Sequence, residues 1–148
     1  MAQDLTTSVL DRQNILNNRY ALTKIEENLA IKGLLLNGET VFTKEQVARL
    51  LEVDDRTIER YLASNSDERQ KNGYQLLKGR ALKLFKISNV SDINVGDKSP
   101  ALGVFSFRAL LNVCMLLTES EKARAIRSRI LDIVSTSWPN VLGVIQSI

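Results

Sequence analysis

Apolar residues recur at helical spacing over most of this chain. From Val9 to Ile31 the stripe is Val9, Leu16, Tyr20, Leu22, Ile25 and Leu29, with Asp11, Arg12, Lys24, Glu26 and Glu27 on the polar side. Asn17-Asn18 marks a break within it. Leu34-Leu35-Leu36 and Glu39-Thr40-Val41-Phe42 flank Asn37-Gly38, a pair suited to a two-residue turn in which both positions need positive φ, so a β-hairpin is predicted there. Two short helices follow, with apolar faces Val47, Ala48, Leu50, Leu51 and then Ile58, Tyr61, Leu62. Leu102 to Phe107 predicts a short strand, and helical period resumes from Phe107 to Leu117. Thr118-Glu119-Ser120-Glu121 has capping-box spacing and opens a helix to about Thr136, with Ala123, Ile126, Ile130, Leu131, Ile133 and Val134 as its apolar stripe.

The stretch from Thr43 to Leu62 is the most informative. Gln46 stands three residues after Thr43, so the two form a capping box, and Phe42 can staple onto Val47. Val53 plugs the turn, and Asp54 caps the second helix through its side-chain oxygen and the helix dipole. Glu52 stands where a tight turn often places glycine. This spacing predicts a helix-turn-helix. Asp55, Arg56, Glu59 and Arg60 then face outward from the second helix, where a recognition helix meets the major groove. Arg56 and Arg60 suit guanine edges or phosphates; Glu59 either accepts from cytosine or pairs with a neighbouring arginine. Lys44, at the start of the first helix, joins this candidate set.

Asp54 and Asp55 would repel a phosphate backbone, so the source of affinity is sought elsewhere. Arg69, Lys71, Lys78, Arg80, Lys83 and Lys86 run without an acidic residue among them, interleaved with Tyr74, Leu76, Leu77, Leu82, Leu84 and Phe85. Gly73 and Gly79 suggest turns. This segment is expected to form a wing or strand pair that holds the phosphate backbone. Its other reading is a solvated basic face. Lys122, Arg124, Arg127 and Arg129 are expected to line a solvated side of the last helix.

Composition narrows the chemistry. With 148 residues, 44% hydrophobic and 25% charged, the chain suits one domain or two small ones. The fold class expected is mainly α with a small β-hairpin or wing. A helix-turn-helix domain at 1–87 is followed by a linker at 88–100 and a small α-helical (α+β) C-terminal part at 101–148. The net charge of +3 is modest. The sequence contains no histidine, which excludes a Ser-His-Asp triad and His-ligated metal, and neither a metal nor a cofactor is expected. The single cysteine, Cys114, lies in an apolar run and reads as a core residue, not a nucleophile. No enzyme is expected. No apolar run is long enough for a membrane, and Asp4 and Asp11 contradict a signal-peptide pattern, so a cytoplasmic protein is expected. The apolar tail after Trp138-Pro139 suits packing or oligomer contact.

Tyr20 through Phe85, including NGYQLLKGRALKLFK, resembles the N-terminal part of small bacterial DNA-binding proteins encoded beside Fic/Doc-type toxins. VFSFRALLNVCMLLTESEKARAIRSRILDIV, Val104 to Val134, continues that likeness and distantly resembles the second half of Bro-N, KilA-N and RhuM-type phage antirepressor domains. The resemblance implies a regulator of a phage-derived or toxin–antitoxin locus, with double-stranded DNA as partner. Candidate protein partners are a second copy, a Fic/Doc-type toxin or a phage repressor. The alternative is an antitoxin or antirepressor module that grips a protein in place of DNA.

Overall fold

The computed structural model describes residues 4–64, 67–68, 72–89 and 100–137. Arg69, Lys71, most of the expected linker and the tail from Trp138 lie outside them. The chain is mostly helical, with one four-stranded antiparallel sheet. It divides into two compact units, residues 32–110 and residues 1–31 with 111–148. That partition differs from the expected 1–87 and 101–148, because strand 101–106 completes the sheet of the residues before the linker.

The unit 32–110 is built on the sheet. Strands β1 (Leu34–Leu36) and β2 (Glu39–Thr43) form the predicted hairpin, with Leu36 paired to Glu39 and positive φ at both Asn37 (51°) and Gly38 (82°). Helix α3 (Lys44–Leu51) leaves β2 directly, followed by α4 (Asp55–Ser64). Strand β3 (Tyr74–Lys78) leads into α5 (Gly79–Ser88). Strand β4 (Ala101–Ser106) then inserts between β2 and β3, giving the order β1-β2-β4-β3.

In place of the expected wing or strand pair, the described residues from Tyr74 to Ser88 form one strand and one helix. Leu82, Leu84 and Phe85 fit either period, but Arg80, Ala81, Leu82, Lys83 and Lys86 are strong helix formers. As a helix, α5 buries Leu82, Phe85 and Asn89, spaced three and four apart, on one stripe. Leu82 and Phe85 cluster with Leu34, Val41, Leu77, Leu102 and Val104 from all four strands. Each such side chain contributes about 1.5–3 kcal/mol on burial. The register places Phe42 opposite Phe105, on the other face of the sheet, where both are fully buried. On that same face Tyr74 meets Phe105 edge-to-face, at 4.9 Å between ring centroids. Tyr74 also lies across Gly103, where any Cβ would collide with its hydroxyl oxygen.

One edge of this sheet is closed by a side chain. The hairpin turns the backbone N–H and C=O of Leu35 away from β2. Asn89, buried at the end of α5, meets both: its Oδ1 accepts from Leu35 N at 2.9 Å and its Nδ2 donates to Leu35 O at 2.9 Å. Nδ2 also donates to Phe85 O, the carbonyl one turn back in α5. The amide thus imitates a neighbouring strand and fastens α5 to β1. At the other end of the unit, buried Asn72 donates from Nδ2 to Glu68 O and accepts at Oδ1 from Arg108 Nε at 2.8 Å. Burial lowers the Arg108 pKa.

The second unit contains α1 (Val9–Leu16), α2 (Arg19–Leu29), most of α6 (Phe107–Leu116) and α7 (Glu121–Ser137). The break at Asn17-Asn18 is real: the Asn18 side chain accepts from Ala21 N and caps α2. Helix α2 packs on α1 and α7. The stripe is only partly as expected. Ile25 and Leu16 are buried, but Val9 and Tyr20 are exposed, while Asp11 and Arg12, expected on the wet side, are buried. Arg12 Nη1 donates to Leu5 O at 2.7 Å, a carbonyl on the segment preceding the helix that periodicity does not register.

Helix α7 is capped by Ser120, whose hydroxyl accepts from Ala123 N at 2.9 Å; the expected Thr118 start is two residues early. Lys122, Arg124 and Arg129 are exposed as expected. Arg127 is not part of that solvated side. Its Nη1 donates to Cys114 O and Leu117 O, at 2.8 and 2.7 Å, satisfying carbonyls that the end of α6 leaves unpaired. Burial lowers its pKa. Cys114 is fully buried, and desolvation pushes its thiol up to about 12.

Two outcomes test these packing arrangements. Asn89→Ala removes the amide from the part-buried edge groups of Leu35 and should cost about 1 kcal/mol in denaturant unfolding; an unchanged midpoint would show that the amide clasp is dispensable. Cys114 sets an alkaline limit. An ordinary thiol at 9.0 ionises in the unfolded chain while the buried one stays protonated to about 12. The unfolded state then binds fewer protons, so stability should fall as pH rises between these values and be insensitive to this group below them. Cys114→Ala should remove that component, read as the difference between the two pH–stability curves.

Candidate nucleic-acid interface

The candidate residues begin where β2 becomes α3. Thr43 Oγ1 accepts from Gln46 N at 3.2 Å, and Gln46 Oε1 accepts from Thr43 N at 2.9 Å, so the capping box is complete. Phe42 and Val47, the staple pair, are both buried. Because Thr43 also pairs with Val104 in the sheet, the exit of α3 is tied to β4.

The turn 52–54 closes α3 with a Schellman pattern. Val53 N donates to Ala48 O at 3.0 Å and Glu52 N to Arg49 O at 3.2 Å. Glu52 takes the left-handed conformation, φ 57° and ψ 44°, at the position where glycine is usual. The turn is thus made without glycine, at a cost of about 1 kcal/mol. Val53 is half-buried over it. Asp54 Oδ1 then accepts from Arg56 N at 2.9 Å, and Asp54 O from Thr57 N, starting α4. Ile58, Tyr61 and Leu62 are buried, and α4 packs on α3.

Asp55, Arg56, Glu59 and Arg60 are all exposed, as the spacing predicted. Their charges have separate duties. Asp54 and Asp55 stand at the positive end of the α4 dipole, where acidic groups stabilise a helix start. Glu59 pairs with Lys44, not with an arginine: Lys44 Nζ lies 2.7 Å from Glu59 Oε2. The hydrogen bond to Glu59 raises the Lys44 pKa, against the opposing effect of its partial burial. Arg60 Nη2 donates to Thr57 Oγ1 at 3.3 Å. Across α3, the turn and α4, the four basic residues Lys44, Arg49, Arg56 and Arg60 stand against five acidic ones, Glu45, Glu52, Asp54, Asp55 and Glu59.

The second group of candidates sits elsewhere in the unit. Lys78 ends β3 and is exposed; Arg80 and Lys83 are exposed on α5, and Lys86 is half-buried. Leu84 and Ile87, 54% and 62% exposed, share the outer side of α5 with Arg80 and Lys83. A shallow depression of about 280 Å³ is lined by Gly79, Leu82, Lys83, Lys86 and Pro100. No residue of α3 or α4 belongs to the cluster that anchors α5. The two candidate groups are therefore seated on different cores within one unit. Arg69 and Lys71 fall outside the described residues.

The Lys44–Glu59 pair had no sequence signal, since 15 positions separate the two residues and they sit on different helices. Among the described residues there is no cluster of His, Cys, Asp or Glu able to hold a metal ion, and no helix long and apolar enough to cross a membrane. No protein-family model, curated protein or solved structure matches this chain.

The left-handed Glu52 gives a direct test of the turn. Glu52→Gly should stabilise the protein by about 0.5–1 kcal/mol, measured by denaturant unfolding, because glycine adopts this conformation without the Cβ penalty. A loss of stability would mean that the glutamate side chain outweighs the strain of its backbone.

Proposed function

We propose that this protein is a sequence-specific DNA-binding regulator in which α3 and α4 act as a helix-turn-helix and α4 enters the major groove. The observation that carries the reading is the division of α4 into a buried side (Ile58, Tyr61, Leu62) and an exposed side with Arg56 and Arg60 four residues apart. Residues so spaced on one helical side reach successive base edges or the phosphates beside them. The capped start of α3 and the closed turn make the pair rigid enough to present that side at a defined angle.

Affinity needs another source, because α3, α4 and the turn between them together carry more acid than base. Lys78, Arg80, Lys83 and Lys86 supply it in this reading. Even off the main contact, charges attract over a Debye length, about 8–10 Å at ordinary salt. A homodimer would place two reading helices on half-sites and multiply their selectivity. The resemblance to proteins encoded beside Fic/Doc-type toxins supports a phage-derived or toxin–antitoxin locus as the setting.

A second reading is a protein-gripping antitoxin or antirepressor module. One observation favours it: exposed Leu84 and Ile87 lie among the basic groups of α5, and phosphates have no use for apolar neighbours. Under this reading Arg80→Glu would abolish a stoichiometric protein complex, whereas no duplex would bind at all.

The DNA reading is tested by duplex titration over a range of salt. Arg56→Ala and Arg60→Ala should each weaken binding to a selected duplex by about 1–3 kcal/mol, with little change on unrelated duplexes. Lys83→Ala should weaken binding to every duplex and reduce the salt slope by about one. Salt-independent binding, or none to any duplex, would overturn the proposal.

A further inference from the structure

An acidic side chain on a DNA-reading helix is an electrostatic liability unless something neutralises it. Glu59 is placed among the exposed residues of α4, three positions after Arg56 and one before Arg60. It is neutralised from the other helix. Lys44 Nζ engages Oε2 at 2.7 Å, while Oε1 takes no hydrogen bond among the described residues. The Glu59 side chain is still 54% exposed. Nor does the pair engage Arg56, whose guanidinium makes no ion pair among the described residues. Lys44 is the first residue of α3, within the Thr43–Gln46 capping box, so its backbone is held at a fixed point.

We propose that Glu59 is a specificity-determining residue that selects cytosine through Oε1, and that Lys44 is the positioning residue that holds and neutralises it. This rests on the reading of α4 as a major-groove helix. A carboxylate can only accept hydrogen bonds. The major groove offers two base donors, N4–H₂ of cytosine and N6–H₂ of adenine. The adenine donor lies between two acceptors, its own N7 and the O4 of the paired thymine, which repel a carboxylate; the cytosine donor has an acceptor, guanine O6, on one side only. Thymine, which offers only the O4 acceptor and a methyl group, is rejected. With its charge balanced by Lys44, Glu59 approaches the groove without the full repulsion of the flanking phosphates. Substituting Lys44 should therefore change which base is chosen as well as how tightly DNA is held.

The experiment is selection of bound duplexes from a random pool by the full chain and by Glu59→Gln, Lys44→Met and Lys44→Arg, each checked by thermal melting. The wild type should enrich a cytosine at one position by about tenfold over thymine or adenine. Glu59→Gln should reduce that preference to about twofold while enrichment at the positions read by Arg56 and Arg60 persists. Lys44→Met should lose it similarly, and Lys44→Arg, which keeps the charge, should retain it. A folded Glu59→Gln or Lys44→Met protein with the cytosine preference intact overturns the assignment, as does a wild-type motif with no such position. Failure of the wild type to enrich any duplex is a different result: it removes the DNA reading and this inference with it.

Discussion

The sheet depends on where β4 goes. Without it, β1 and β2 would be an isolated two-stranded hairpin, which is at best marginal in water, and β3 would have no partner. Six residues, Ala101 to Ser106, satisfy the hydrogen bonds of both neighbours and bring Val104 and Phe105 to opposite faces. The same strand fixes the candidate interface. Thr43 is at once the residue paired with Val104 and the N-cap of α3, so the start of the helix pair is set by the sheet. Gly103 and Tyr74 pin the register from the other neighbour, since the Tyr74 hydroxyl lies over Gly103, two residues before its pair Phe105, where a Cβ would collide with it. The fully buried Phe42 and Phe105 share that face.

The local parts of the fold were legible because their signals are short-range. Asn37-Gly38, Thr43 with Gln46, Asn18 and Asp54 act on backbone groups within three residues, so each could be placed from the sequence. What could not be read is what depends on distant partners. Leu82 and Phe85 serve strand and helix patterns alike, and only the cluster with Leu34, Val41 and Val104 decides for the helix. Asn89 looked like loop composition, yet its amide completes a strand 54 positions away. Arg12 and Arg127 carry charges that composition assigns to solvent, and both are spent on backbone carbonyls within the chain. The expected linker at 88–100 divided β4 from the strands it joins because a Ser, Asn, Asp and Gly run ending in Pro100 marks a long connection whether or not it ends a domain.

The candidate interface was legible as a set of exposed positions and illegible as a set of pairings. Periodicity alone places Asp55, Arg56, Glu59 and Arg60 outward, and they are outward. Periodicity says nothing of Lys44 meeting Glu59, because that contact depends on how α4 crosses α3. The basic run was visible as a run, but its division between the end of β3 and the outer side of α5 was not.

The acidic content of α3 and α4 then has a physical explanation that does not weigh against a DNA-reading role. Asp54 and Asp55 are required by the helix they begin, whose first N–H groups and positive dipole end need acceptors. Glu59 is balanced by Lys44 across the crossing of the helices. An exposed pair of this kind contributes only about 0–1 kcal/mol to stability, so its consequence is chiefly to orient the two side chains. Arg56 and Arg60 are the exposed cations of α4. The helix pair is then close to neutral in its long-range field while keeping directional groups at close range. Under the proposed DNA reading such a surface would distinguish sequences better than it captures DNA, and its attraction would come from basic groups elsewhere on the chain. On this account Arg80 and Lys83 complement α4 in function although they belong to a different core.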